Sequence, residues 1–166
     1  DTDGCLNTCR SAACGDGVIR AGREECDDGN FLNTDSCSNR CRSAYCGDGI
    51  IRTDLDPTDD LFEACDDGNL ENDDDCLVNC QVSRCGDGFV NLETEECDDE
   101  NLDDNDPCLS TCVVNVCGDG FIRPDQESCD DGNEIETDGC LSSCVLASCG
   151  DGFVQDGVEA CDDNNR

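Results

Sequence analysis

The cysteines of this chain fall on a fixed ruler, and that ruler limits what the chain can fold into. From Cys14 the spacing C-x11-C-x10-C-x3-C-x4 returns to a new C-G-D-G at Cys46, Cys85, Cys117 and Cys149, in steps of 32, 39, 32 and 32 residues. Seven extra residues between Cys46 and Cys65 account for the long step. A period of this size marks a tandem array of small supersecondary units. The expected fold class is therefore small disulfide-rich repeats: short β-hairpins and loops stacked as a tandem rod or solenoid, with little helix.

The ruler divides the chain into complete repeats at 14–45, 46–84 (with a hairpin insertion), 85–116 and 117–148. Residues 1–13, with Cys5 and Cys9, have the spacing of the second half of a preceding repeat. Residues 149–166, with Cys149 and Cys161, have that of the first half of a following one. Two arrangements fit these half-repeats. The chain is a window on a longer array, or the tail of one subunit completes the head of the next.

Cysteine is 20 of 166 residues, the density of a disulfide scaffold. All twenty are expected in bridges: Cys5, Cys9, Cys14, Cys26, Cys37, Cys41, Cys46, Cys65, Cys76, Cys80, Cys85, Cys97, Cys108, Cys112, Cys117, Cys129, Cys140, Cys144, Cys149 and Cys161. Four cysteines per repeat allow three pairings, and spacing alone does not choose among them. A zinc protein would show C-x2-C pairs or histidines, and this chain has neither. Bridges of this number persist in an oxidising compartment, so an extracellular or cell-surface location is expected. No apolar run is long enough to span a membrane. With five Phe, one Tyr and no Trp or Met, a 32-residue unit has little apolar surface to bury. Two bridges per repeat, each contributing about 2–4 kcal/mol, can supply what the core does not.

The charge is extreme, with 43 acidic residues against 9 arginines and no lysine or histidine. There is no basic patch to release counterions, which excludes nucleic acid as a partner. A net charge of −34 opposes compaction unless cations offset it.

Five partly independent copies of one unit can be compared within the chain. Each C-G-D-G supplies an aspartate: Asp16, Asp48, Asp87, Asp119 and Asp151. An apolar doublet follows (Val18-Ile19, Ile50-Ile51, Phe89-Val90, Phe121-Ile122, Phe153-Val154) and reads as a short strand opening a tight hairpin. Two residues before the second cysteine stands Glu24, Glu63, Glu95, Glu127 or Glu159. Directly after it come Asp27-Asp28, Asp66-Asp67, Asp98-Asp99, Asp130-Asp131 and Asp162-Asp163. An asparagine follows at Asn30, Asn69, Asn101, Asn133 and Asn165. Two residues before the third cysteine lies Asp3, Asp35, Asp74, Asp106 or Asp138. Acids kept only for solubility would drift along the loop, and these hold their places.

This pattern resembles the Myxococcus cysteine-rich repeat family, whose units read C-G-D-G, E-x-C-D-D-G-N and D-G-C-x3-C. The segment Cys14 to Cys41 carries CGDG, EECDDGN, DSC and SNRC, and Cys117 to Cys144 carries CGDG, ESCDDGN, TDGC and LSSC. Ser36, Asp75 and Pro107 depart from the glycine before the third cysteine, and Glu100 and Asn164 from that of D-D-G-N. The resemblance implies a secreted or cell-surface module and brings no catalytic activity with it.

The acid ladder has two readings. As a ligand set for Ca2+, one Glu, several Asp and one Asn per repeat supply the hard oxygens that the ion takes six to eight at a time. The spacing is not that of an EF-hand. As turn chemistry, Asp and Asn close Asx-turns, and Gly-Asp-Gly bends the chain by itself. The calcium reading predicts a site in each repeat. The insertion, with Asp54, Asp56, Asp59 and Asp60, is either a further ion site or a solvated loop at the hairpin tip.

Catalysis is not expected, because histidine and lysine are missing and the acids repeat where an active site would be unique. The linkers between repeats span about four residues and are too short and apolar to be tethers, so neighbours should pack at a fixed angle. Hydroxyls at Thr8, Ser38, Ser110, Thr111, Ser142 and Ser143 are either attachment points for O-linked glycans or ordinary loop residues. The functional expectation is an extracellular structural protein: a calcium-stabilised, disulfide-stapled array that forms a fibre or stalk with itself, head to tail. The alternative is a spacer or adhesion module within a larger cell-surface or secreted protein.

Overall fold

A computed structural model describes residues 4, 5, 7 and 9–165. Asp3 and Thr8, named above as a candidate acid and a candidate glycan site, lie outside the described residues. The chain forms two compact units, Asp1–Ser83 and Arg84–Arg166. No helix occurs among the described residues.

Eight disulfides give every complete repeat the same nested pairing, first cysteine to fourth and second to third. In the first unit these are Cys14–Cys41 around Cys26–Cys37, and Cys46–Cys80 around Cys65–Cys76. In the second they are Cys85–Cys112 around Cys97–Cys108, and Cys117–Cys144 around Cys129–Cys140. The inner bridge always closes 11 residues and the outer one 27, or 34 where the insertion lies. Cys9, Cys149 and Cys161 carry exposed thiols outside these eight bridges, and Cys5 is also exposed.

The third and fourth cysteines are the core. Cys37, Cys41, Cys76, Cys80, Cys108, Cys112, Cys140 and Cys144 are all buried, and the apolar side chains that join them are few: Leu77, Leu109 and Ala12. Large apolar residues such as Phe31, Leu92 and Val158 stay exposed. Cross-links rather than hydrophobic burial therefore carry the unit, as a chain of such small repeats requires.

The fourth cysteine also bends the chain. Cys41, Cys80, Cys112 and Cys144 have φ between 51° and 57°, left-handed backbone in a non-glycine residue. The turn that leads there is closed by Cys41 N–H donating to the Ser38 carbonyl, with equivalents at Cys80, Cys112 and Cys144. The returning strand then makes a single antiparallel bridge to the third cysteine: Cys37 with Ser43, Cys76 with Val82, Cys108 with Val114 and Cys140 with Leu146.

The apolar doublets do not form the expected strands. Val18-Ile19 and its equivalents lie between turns and take part in no ladder. Two residues are too few to build one, and side-chain carboxylates take the amides that a ladder would use. Arg20 N–H donates to Glu24 Oε2 at 2.7 Å, Arg52 to Glu63 at 2.8 Å, Asn91 to Glu95 at 2.9 Å and Arg123 to Glu127 at 2.8 Å. The turn is thus closed from both sides of one residue: the glutamate side chain takes the amide, and in three of these repeats its own N–H donates to the carbonyl of the same partner, as Glu24 N–H does to Arg20 at 3.1 Å.

Successive repeats are pinned within each unit. Thr53 N–H donates to the Thr34 carbonyl at 2.8 Å in the first. In the second, Asp156 N–H donates to the Thr137 carbonyl at 2.8 Å, and Gln155 Nε2 to the Asp138 carbonyl at 2.6 Å.

Candidate functional site

The acid ladder separates into two groups of three. The first group belongs to the C-G-D-G turn. Its glycines have left-handed φ, which turns successive N–H groups inward to make a concave seat for an anion. Gly15 could not be replaced, because a Cβ there would meet the Asn30 carbonyl oxygen and the Phe31 ring at 2.7 Å. The occupant of the seat is the first aspartate after the second cysteine. Asp98 Oδ2 accepts from Gly86 N–H at 2.6 Å and Asp87 N–H at 3.2 Å, while Oδ1 accepts from Gly88 at 2.7 Å and Glu100 at 2.9 Å. Asp27 and Asp66 each take the same four amides in their own repeats. Asp130 takes those of Gly118, Gly120 and Gly132, and Asp162 those of Gly150, Gly152 and Asn164.

Loss of water works against the charge of Asp27, Asp98 and Asp130, yet their backbone donors prevail and hold each carboxyl below the usual aspartate value. Asp162 is lowered by the Asn164 and Gly150 amides first. The C-G-D-G aspartates clamp the same turn from outside. Asp16, for example, accepts from Ala13 N–H at 2.7 Å and Val18 N–H at 3.1 Å, and Asp48, Asp87, Asp119 and Asp151 do likewise. With the hairpin glutamates, these positions hold backbone.

Acidic and cysteine side chains close enough to hold a metal ion meet beside this seat. Glu24, Asp27 and Cys41 each offer an atom within 4.8 Å of the others, as do Glu63, Asp66 and Cys80, and also Cys149, Glu159 and Asp162. Cys85, Asp98 and Cys112, and Cys117, Asp130 and Cys144, form the two remaining groups. In the four complete repeats the sulfurs are bridged and the aspartate oxygens already accept amides, so an ion at those points competes with the fold's own bonds.

The second group is differently placed. It comprises the second aspartate after the second cysteine, the asparagine, and the aspartate before the third cysteine. Asn101 Nδ2 donates to Asp106 Oδ2 at 3.0 Å, Asn69 to Asp74 at 2.8 Å and Asn30 to Asp35 at 2.8 Å. The other oxygen of each of these aspartates accepts from the third cysteine's amide, at 3.2–3.3 Å. Asp138 does the same with Cys140. The asparagine Oδ1 closes its own turn on the residue two further on, including Asn133 on Ile135.

Asp99 stands out within this group. Both of its carboxylate oxygens are shielded from solvent, and neither accepts a hydrogen bond among the described residues. Loss of water and then the neighbouring Asp106 carboxylate push its carboxyl above the usual value. The corresponding pair in the preceding repeat is also in contact, with Asp74 held below its usual value by Asn69, the Cys76 amide and, in lesser part, Asp67. Asp28 and Asp67 are turn-formers in addition, accepting from Asn30 and Asn69 N–H at 3.2 and 3.1 Å. Asp131 and Asp138 hold the same sequence positions in their repeat.

The insertion acids are used locally. Asp54 makes a two-point pair with Arg52, Nε to Oδ1 at 3.1 Å and Nη2 to Oδ2 at 2.9 Å, and Arg52 lowers its carboxyl. Asp56 and Asp59 close turns on Thr58 and Asp56. The sequence reading missed a polar cleft around Arg40, Arg42 and Tyr45. Its signal was the single tyrosine beside two of only nine basic residues.

The chain is similar to a domain of unknown function, DUF4215, over residues 1–42 and 108–145. Both matched segments include a complete four-cysteine repeat, 14–41 in one and 117–144 in the other. The match and the eight bridges agree on a cysteine-rich, disulfide-stapled repeat protein, a class that belongs to oxidising surroundings outside the cell. No helix is long and apolar enough to cross a membrane among the described residues. No curated protein and no solved structure matches the chain.

Proposed function

We propose that this chain is a non-catalytic extracellular structural protein, a disulfide-stapled array stiffened by Ca2+ and continued head to tail into a fibre or stalk. The observation that carries the calcium reading is Asp99, whose two shielded oxygens lack donors beside a second carboxylate, Asp106. Two like charges held together out of water favour either a shared proton or a cation. In millimolar external calcium the cation is available, and Asp99 offers it two oxygens without hydrogen-bond partners, with Asp106 and the Asn101 amide oxygen as further hard ligands that would share theirs with the amides they already accept. The sister sets are Asp28, Asn30 and Asp35; Asp67, Asn69 and Asp74; and Asp131, Asn133 and Asp138. Water and backbone carbonyls complete the coordination.

The pairing rule supports continuation. A first-position cysteine pairs with a fourth, and a second with a third, in all four complete repeats. By that rule Cys149 calls for a fourth-position partner and Cys161 for a third-position one, and head-to-tail contact between copies would present cysteines to these exposed thiols. The Asp162 seat already holds Gly150 and Gly152 in the form that such a partner would meet.

Thermal melts of the oxidised protein in millimolar calcium and in excess EGTA test the ion. The expected result is a lower Tm in EGTA that calcium restores, with the difference reduced in Asp99→Asn. Superimposed melts would leave the acids as turn-formers. Electron microscopy of native material tests the assembly, where a filament of uniform width and periodic rise is expected.

A further inference from the structure

The repeat at 14–45 carries a feature that the three repeats after it lack. A cleft of about 600 Å³ opens there, lined by Arg40, Arg42 and Tyr45, by the Asn33 and Asn39 amides, and by the carboxylates of Glu25 and Asp48. At the place of Ser38 the later repeats have Leu77, Leu109 and Leu141, and at the place of Ser43 they have Val82, Val114 and Leu146. Arg42 corresponds to Gln81, Val113 and Val145. Core leucines (Leu77, Leu109) and exposed aliphatic residues (Val82, Val114, Leu146) of the later repeats are thus replaced in this one by hydroxyls, beside guanidinium and carboxylate groups.

The walls are fixed before any ligand arrives. Asn33 Oδ1 accepts from Asn39 N–H at 2.9 Å, Ser38 Oγ donates to the Arg42 carbonyl at 3.1 Å, and Tyr45 N–H donates to Asp48 Oδ2 at 3.3 Å. The Cys14–Cys41 and Cys26–Cys37 bridges hold the segments that carry them. Preorganised groups lose little freedom on binding, which favours recognition by a few contacts.

Arg42 is neutralised by Glu25 at 2.8 Å. Arg40 is not, since no ion pair or hydrogen bond engages its guanidinium among the described residues. Arg10, Arg23, Arg84 and Arg123 are likewise without an ion pair among the described residues, so what sets Arg40 apart is its place in the wall of this cleft. Beside it stands Tyr45, the only tyrosine, 60% exposed. Tyr45 also lines a second cleft of about 310 Å³ with Leu61 and Phe62.

We propose that this cleft binds an acidic saccharide, with Tyr45 stacked on the face of a hexuronate ring and Arg40 paired with its carboxylate. A pyranose offers a C–H face to an aromatic plane and hydroxyls to the donors and acceptors around it. A planar guanidinium matches one carboxylate at two points. Within the cleft Arg42 is taken by Glu25, so Arg40 is left to neutralise a single uronate and not a polyanion. This inference goes beyond the structural role proposed above and does not depend on calcium.

The test is an amide-resolved NMR titration of the full oxidised chain with methyl β-D-glucuronide, with methyl β-D-glucoside and N-acetylglutamate amide as controls. Saturable shifts confined to residues 33–50 are expected with the glucuronide, and affinity about tenfold or more weaker for the glucoside. N-acetylglutamate amide should produce no comparable shifts. Tyr45→Ala should remove binding of both sugars, and Arg40→Ala should reduce the glucuronide to the level of the glucoside. Both side chains are exposed, so spectra of the variants outside the cleft should match the parent. No saturation, shifts elsewhere, equal binding of the amino-acid control, or unaltered binding in both variants would each overturn the proposal.

Discussion

Asp98 and Asp99 are neighbours in sequence and opposite in environment. Asp98 sits in a seat of four backbone amides, and those donors outweigh its loss of water to keep the carboxyl easily ionised. Asp99 has shielded oxygens with no hydrogen-bond partner of good geometry among the described residues, and the pull of the nearby Asn101 amide is outweighed by loss of water and by the Asp106 carboxylate, so its carboxyl resists ionisation. One side chain serves as the anion around which a turn is built. Its neighbour is charge awaiting a partner. The difference teaches that an acid held at a fixed position is not yet a metal ligand; what matters is whether the chain has already supplied its donors.

The strongest way to break this contrast is to remove the anion from its seat. Asp98→Asn would place an amide N–H2 against one pair of backbone N–H groups, leaving either the part-buried Gly86 and Asp87 amides or the exposed Gly88 and Glu100 amides without an acceptor. Unsatisfied donors cost about 1–3 kcal/mol each, so a loss on the order of 3–5 kcal/mol is expected, read from denaturant unfolding of the oxidised chain. If Asp98→Asn and Asp99→Asn destabilise equally, the contrast is wrong.

Acid should act on the two sets in opposite directions. Asp27, Asp98 and Asp130 have folded values below the usual 3.8, so their contribution is fully present above that value. It is lost as pH falls through their lowered folded values, because the unfolded chain then binds more protons. Asp99 and Glu63 are raised above the usual 3.8 and 4.5, Glu63 by burial first and then by the charges of Asp66 and Asp48. Their protonation favours the folded chain as pH falls through those raised values. Melts across pH in EGTA should therefore show a small gain in stability as pH falls through the raised values of Asp99 and Glu63, then a steep loss below 3.8.

Much of the architecture was legible and much of the site was not, for one physical reason. The cysteine ruler gave the repeat, because covalent pairing demands fixed spacing. The recurrence of Glu24, Asp27 and Asp35 with their equivalents was equally plain. The nested pairing was not, since cysteines carry no mark of partner. Nor was the strand at Phe89-Val90 correctly expected: a β-branched and aromatic doublet gives the right propensity, but Glu95 takes the Asn91 amide that would have begun a ladder. Six recurring acids looked too many for turn chemistry. In fact Asp16, Glu24 and Asp27 are all spent on backbone, because left-handed glycines expose an unusual number of amides that must find acceptors. The signal for this lies in C-G-D-G itself, whose glycine amides are donors that pair with the aspartate after the second cysteine.

Asp99→Asn sharpens the same contrast with a smaller effect of conditional sign. In EGTA the substitution removes repulsion with Asp106 and should raise Tm slightly at neutral pH. In calcium it removes a charged ligand and should lower Tm relative to the parent. A variant that shifts Tm identically in both solutions would show that no ion sits at the pair.

The smallest expected effect lies between the two aspartates and their asparagine, at the glycine of D-D-G-N. Gly29, Gly68 and Gly132 occupy left-handed backbone with φ of 75–83°, and Glu100 is forced to φ of 69° at the equivalent place. An L-residue held there costs about 1 kcal/mol or more relative to glycine, partly offset by the greater freedom that glycine loses on folding. The Glu100 side chain also lies over Gly88, where the sister repeats place glycine Cα against glycine Cα. Glu100→Gly should thus stabilise the chain by about 0.5–1 kcal/mol without altering the calcium response. Because the Glu100 amide is one of the four donors to Asp98, relief of strain at that residue should tighten the seat and leave Asp99 as it was. A change in calcium affinity on Glu100→Gly would mean that the two acids, opposite in environment, are nonetheless coupled through the peptide that joins them to the turn.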